Sequence, residues 1–229
     1  MASLYSLIIT ILPYAIGAAI SPLILATLIS TVPPENRPRL SAFSYFLGSA
    51  LFFLILAFSG LYIGSSLPTP ILGPRVSGGL IEIILGAILV IISLKTLFIR
   101  EVPQEGGLLG FIDSLREDNN FSIFIKFFYF GFLTYLASFA TSILIAVAGI
   151  IIGISNSVFP ISSMTIIILG FVALLIVEIP FILYLISPTR AGEILSPAQS
   201  WIVQYGDYLM TIVYLILGIF FAARGFMAI

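Results

Sequence analysis

The side chains able to do chemistry in this chain sit inside apolar runs. Glu178, in Val177-Glu178-Ile179-Pro180, is the deepest acid. Ionisable groups held in hydrocarbon are costly, and they face the interior of a helix bundle or a wet cavity. Pro180 lacks a backbone N–H and leaves a carbonyl unpaired one turn earlier, so a carboxylate and a bare acceptor fall close together. That combination suits a cation, a substrate amine or a proton. The structural alternative is a protonated Glu178 bonded to a neighbouring helix or paired with an Arg. Two acids are secondary candidates. Glu82 lies near one end of its apolar run, where a long side chain snorkels to the interface. Asp207, among Tyr205, Gly206 and Tyr208, is set to pair with Arg190 or to line an inner mouth. Arg190 and Glu193 form a charged cluster suited to headgroup contact and orientation.

Hydroxyl groups mark a second kind of site. Ser21-Pro22 interrupts the run Leu4 to Val32, and the proline removes a donor and crowds the preceding turn. Broken helices in a membrane persist where hydroxyls or a cavity satisfy the freed backbone. In secondary transporters such discontinuities form the substrate site near the midplane. Thr141 and Ser142, with Ser138 one turn earlier on the same face, are the matching hydroxyls in the second half of the chain. Small residues at this spacing also let helices approach closely, which is their structural alternative.

Composition states what must position these groups. The chain has 229 residues, 60% of them hydrophobic and 8% charged, and its mean hydropathy is +1.23. A soluble domain has no interior large enough for that much apolar surface, whereas a bilayer accepts it as an outer face. The expectation is an integral membrane protein with the lipid bilayer as its main partner. A net charge of −1 argues against nucleic acid. With no Cys there are no disulfides, thiol relays or thiolate metal sites, and with no His the usual zinc and di-iron sites are not expected. No metal and no cofactor are expected. The N-terminus lacks a basic region followed by a short apolar core and cleavage site, and reads as a retained span.

Six spans are expected, as helices, because the apolar runs are long and do not alternate. They cover about Leu4–Val32, Leu40–Ile63, Gly79–Ile99, Phe121–Ile152, Ser163–Ile186 and Trp201–Ala223. The fourth is long enough that it must tilt or break. The polar stretch Arg100 to Asn120, with a short amphipathic helix around Leu108 to Leu115, joins two halves of one membrane domain, about 1–100 and 121–229. Most Phe and Tyr are expected to face lipid, with Trp201 and Tyr205 in an interfacial belt.

Lys and Arg set the orientation. The loops after spans one, three and five, with the flanking span ends, hold Arg37, Arg39, Lys95, Arg100, Arg116, Lys126 and Arg190; the side of the termini holds Arg75 and Arg224. The positive-inside rule places those loops in the cytoplasm and both termini outside the plasma membrane. The halves echo each other. Pro22-Leu23-Ile24-Leu25-Ala26 aligns with Ser142-Ile143-Leu144-Ile145-Ala146, which sets Ser21 against Thr141, and Leu-Gly pairs recur at 47–48, 85–86, 169–170 and 217–218. Three spans per half make such a repeat inverted.

Glu178-Ile179-Pro180 with Tyr184, Pro188-Thr189-Arg190-Ala191, Trp201 and Leu217-Gly218 resemble the GAP/Sap family of small membrane proteins. So do Ala19-Ile20-Ser21-Pro22-Leu23, Arg37-Pro38-Arg39 and Phe46-Leu47-Gly48. That family is linked to the surfacing of glycopeptidolipids and sulfolipid and belongs to the lysine exporter (LysE) superfamily. The resemblance implies six helices as two inverted three-helix repeats and a role in export. Span four departs from the superfamily pattern. It has no proline between Thr134 and Ser142, which counts against a symmetric pair of breaks.

Three functions follow. The first is a secondary exporter of a small solute or lipid-like molecule, coupled to protons, with Ser21-Pro22, Ser138, Thr141-Ser142, Glu178 and Pro180 along its path. The second is an accessory protein that assists a larger lipid-export or envelope-assembly machine without transporting. The third, an intramembrane enzyme, ranks last because no His, Cys or paired-acid motif is present. Small residues on several spans are compatible with a homodimer.

Overall fold

The structure is a computed structural model that describes residues 4–31, 37–67, 73–98 and 119–229. The helix expected over Leu108 to Leu115 and the side chains of Pro22, Arg75 and Asp207 lie outside the described residues. Among the described residues the chain forms helices and no strand: α1 (Leu4–Ala19), α2 (Pro22–Thr31), α3 (Pro38–Ser66), α4 (Gly73–Phe98), α5 (Asn120–Ala137), α6 (Phe139–Ile154), α7 (Phe159–Ala173), α8 (Leu175–Ile186) and α9 (Pro188–Ala228). Four segments are long and apolar enough to cross a bilayer: α3, Gly78–Leu97 of α4, α5 and Gln204–Ala228 of α9. Two bent pairs, α1 with α2 at 49° and α7 with α8 at 66°, raise the number to six if each is one span. Ile55, Ile84, Ile167 and Ile216 are each at least half exposed. An outward face of that kind belongs in lipid.

Glycines decide how the helices pack. Tyr45 of α3 lies on Gly131 of α5, and Gly48 lies on Phe128 and Phe132. Farther along α3, Gly60 and Gly64 meet Gly149, Ile150 and Gly153 of α6. A Cβ at any of these glycines would overlap backbone atoms of the partner helix. These are two facing small-xxx-small pairs, 60/64 and 149/153, which bring backbones close where the hydrophobic effect gives no drive between helices. The partners ascend together, so α5 and α6 follow one another along the length of α3 and parallel to it. Arg37 Nη1 donates to Asn120 Oδ1 and ties the starts of α3 and α5. The α4–α9 pair is antiparallel: Gly79 faces Gly225, Gly86 faces Gly218, and Ser93 Oγ donates to the Thr211 carbonyl at 2.8 Å.

Three expectations are corrected here. The fifth span is not continuous. It bends at Leu174, whose carbonyl accepts from both the Val177 and Glu178 N–H groups at 2.8 Å, and Pro180 lies inside α8 beyond the bend. The segment before Trp201 is not a loop. Pro188 occupies the first helical turn, where its fixed φ suits a helix and its missing N–H has no intrahelical use. The resulting helix has 41 residues, so at about 1.5 Å per residue it is far longer than a bilayer is thick, and only Gln204–Ala228 is the apolar crossing. Half the tyrosines are not lipid-facing: Tyr14, Tyr45, Tyr135, Tyr184 and Tyr214 are buried in the core.

Candidate functional site

Two helix breaks meet inside the bundle. The first lies at Ile20-Ser21, between α1 and α2, and the Leu25 N–H donates to the Ser21 carbonyl at 3.2 Å. The second lies at Ser138, between α5 and α6, with φ −78° and ψ 74°. There the Ser138 N–H closes α5 on the Thr134 carbonyl at 2.9 Å, and the Ser142 N–H opens α6 on the Ser138 carbonyl at 3.0 Å. So the missing proline does not prevent a second break. Ser142 Oγ donates to the Tyr135 carbonyl at 2.7 Å, which satisfies an acceptor that the break removes from the helical ladder. Serine hydroxyls compete for backbone groups in this way.

The two breaks touch. Ser21 Oγ and Ser138 Oγ are 3.1 Å apart, and Ser138 Oγ donates to Thr141 Oγ1 at 2.9 Å. Ser138 has one hydroxyl proton, so Ser21 is the donor to it. All three side chains are buried. Ser21 is therefore matched with Ser138, one turn before the Thr141 that the sequence alignment selects. A register resting on apolar residues cannot distinguish positions one turn apart, and the hydroxyl contact does.

Glu178 interacts with Tyr135, three residues before Ser138. It lies in the first turn of α8 and is half-buried. A carboxylate at that place is also favoured by the positive end of the helix. Tyr135 Oη is buried with no hydrogen-bond partner among the described residues. The nearby Tyr45 Oη donates to the Ile24 carbonyl at 3.4 Å. Pro180 is buried in α8.

Glu82 does not snorkel. It is buried, accepts from Tyr14 Oη at 2.7 Å, and pairs with Arg224 Nε at 3.4 Å. Arg224 Nη1 also donates to the Thr10 carbonyl at 3.3 Å. The group opens on a cavity of about 420 Å³ that includes Gly78, Gly79 and Ile151, at the end of the bundle opposite the Arg37–Asn120 bond. Arg190 is exposed at the start of α9, and the Trp201 and Tyr205 rings, 5.8 Å apart, are exposed as an interfacial belt requires. Tyr14 and Arg224 carry interactions that the sequence reading does not single out, and Tyr135 and Tyr214 bury hydroxyls that it does not single out either. Polar-tipped rings and a cation inside apolar helices were the available signal.

A further cavity of about 540 Å³ lies against both breaks, lined by Leu23 of α2, Lys95 and Thr96 of α4, Ser138 and Ala140 at the start of α6, and Tyr214 of α9. Tyr214 Oη is buried without a hydrogen-bond partner among the described residues.

Half-helices that start at buried serines, inside a bundle with an apolar outer face, define a multi-pass helical membrane protein with a polar interior site. The family described as Sap, sulfolipid-1-addressing protein, matches residues 11–227, and the chain belongs to it. Comparison with curated proteins and with solved structures finds no match.

Proposed function

We propose that this chain is a secondary exporter of the LysE-superfamily type, moving a small solute or lipid-like molecule outward across the plasma membrane. The observation that carries this reading is the 3.1 Å contact between Ser21 and Ser138, because it joins two helix breaks, one from each half. Discontinuous helices at a repeat interface are the usual substrate site of such transporters. Packing supports an inverted repeat of six spans. Broken α1–α2 corresponds to broken α5–α6, α3 to bent α7–α8, and α4 to α9. The packing of α3 on α5–α6 has a counterpart in that of α7 on α1, and α4 and α9 pair with each other. The family's sulfolipid-addressing description supports a lipid cargo. Arg37, Arg39 and Pro188 share one end of the bundle, which supports cytoplasmic loops and outward termini. Glu178 is the proton-coupling group in this reading, and the path runs past Tyr135.

A second reading, an accessory protein that assists another export machine, draws on one observation. Glu178 occupies the first turn of α8, where the helix dipole alone accounts for a carboxylate. The test is lipid flux in proteoliposomes under a pH gradient, wild type beside Glu178→Gln. The exporter predicts flux in the wild type and its loss in the variant at unchanged thermal stability. Full flux in Glu178→Gln removes the coupling role. No flux in the wild type with any lipid extract favours the accessory reading.

A further inference from the structure

We propose that Glu82, Arg224 and Tyr14 form the outer gate of the export path: they latch α1 onto the α4–α9 pair and shut a route from the helix breaks to the end of the bundle that carries the termini. This deepens the export reading by naming the exit and what closes it, and it rests on that reading only for what passes through.

Two cavities face each other along the same elements. The one at the breaks is lined by Leu23 of α2, Ile92 of α4, Ala140 of α6 and Met210 of α9. The one at the far end is lined by Thr10 of α1, Glu82 of α4, Ile151 of α6 and Arg224 of α9. The same four spans therefore wall both. At about 1.5 Å per residue, Glu82 and Ile92 lie about 15 Å apart along α4. The interval between them is apolar and closed. Leu85 and Leu89 of α4, Leu144 of α6 and Phe221 of α9 are all buried. The Tyr14 and Phe221 rings are 4.4 Å apart, and Leu144 and Leu217 lie over Gly17 so closely that a Cβ there would overlap Leu217. Thr10, Tyr14, Gly17 and Ser21 recur at three- or four-residue spacing, so one face of α1 runs from the outer cavity to the break. An apolar constriction between two cavities excludes water until the helices that form it part.

Polar contacts single out the helix that moves. α4 and α9 meet backbone to backbone at Gly79 and Gly225 and at Gly86 and Gly218, which makes them one unit. α1 packs along α6 and α7 instead. Its outer tie to α4 and α9 is polar: Tyr14 Oη donates to Glu82 Oε1 at 2.7 Å, and Arg224, 3.4 Å from Glu82, donates to the Thr10 carbonyl at 3.3 Å. Both bonds cross from α1 to the other unit, and both end at the outer cavity. The Arg224 side chain is 31% exposed and that of Glu82 6%. Water already reaches one partner, and opening admits it to the other, so parting these charges costs far less than in a dry interior. The break at Ile20-Ser21 ends α1 and supplies the hinge.

The test uses a chain that has no cysteine of its own. Leu144→Cys places one thiol in the closed layer, and a cationic, membrane-impermeant methanethiosulfonate is added outside intact cells. Reaction should be slow. Glu82→Gln in that background should speed it about tenfold, the size of a single coupling, and Tyr14→Phe, which keeps the ring on Phe221, several-fold. Losing a carboxylate weakens the attraction for a cationic reagent, so a faster reaction reports opening. Exchanging the charges, Glu82→Arg with Arg224→Glu, should restore the slow rate. Gly131→Ala, which loosens α3 from α5, should leave it unchanged. A fast reaction in Leu144→Cys alone, no acceleration by Glu82→Gln, or equal acceleration by Gly131→Ala overturns the gate. Amide exchange on the cysteine-free Glu82→Gln chain gives a second reading: residues 10–17 should exchange faster and residues 86–93 at the wild-type rate, and unchanged exchange at 10–17 overturns the gate as well. Lipid flux is scored separately. Opening by Glu82→Gln without flux in the wild type sinks the export reading alone, and flux with an unmoved labelling rate sinks this inference alone.

Discussion

At the residue scale, the buried polar groups of this protein are held in two separate constellations, and they should respond differently to mutation. Around Glu82, Arg224 and Tyr14 share one carboxylate. Removing the cation leaves that buried carboxylate with the Tyr14 hydrogen bond but no counter-charge, so Arg224→Met should lower stability by about 3 kcal/mol, read as a fall in the thermal midpoint in detergent. Glu82→Gln keeps an acceptor for Tyr14 and should lose less. Equal losses would mean that the ion pair does not hold this end of the bundle together. Around Ser138 the groups are neutral. Ser138→Ala removes its contacts with Ser21 and Thr141, at about 1 kcal/mol for each bond. Its effect on lipid retention should exceed its modest effect on stability, because the alanine also alters the start of α6.

At the scale of elements, helix packing rests on glycine contacts that have no tolerance for a methyl group. Gly86 lies against the backbone of Gly218 and Ala222. Gly86→Ala should therefore destabilise by about 1–3 kcal/mol through overpacking. Gly78, in the same helix, has open space around it, so Gly78→Ala should be neutral or stabilise by up to about 1 kcal/mol. Comparison of the two thermal midpoints checks the α4–α9 interface directly. The break in α5–α6 is an element-scale feature as well. Ser142→Ala leaves the Tyr135 carbonyl without its hydroxyl donor; backbone amide exchange at residues 135–139 should then quicken, while exchange in α4 stays unchanged.

At the scale of the whole molecule, one end gathers Arg37, Arg39, Asn120 and Pro188, and the other gathers Thr10, Glu82, Ile151 and Arg224. The chain has no cysteine, so single substitutions report cleanly. Arg39→Cys should react with a membrane-impermeant maleimide only after the cytoplasmic face is opened, and Ser66→Cys should react from outside in intact cells. The reverse pattern would invert the orientation. Much of this frame is legible in the sequence alone. Composition alone demanded a bilayer, since 60% hydrophobic residues exceed what a folded interior hides. The Ser21-Pro22 break was legible because proline acts locally on its own backbone. Features that depend on partners far along the chain were not. The break at Ser138 needs the hydroxyl of Ser142 and the contact with Ser21, which lies 117 positions away. The burial of Glu82 needs Arg224 from the opposite end of the chain. The joining of Lys95 and Tyr214 at one cavity needs α4 and α9 to pack through glycines. Local chemistry sets where this chain is apolar and where its helices stop. Which polar groups meet is decided by packing, because a side chain in a membrane interior acquires its partners only from the helices brought against it.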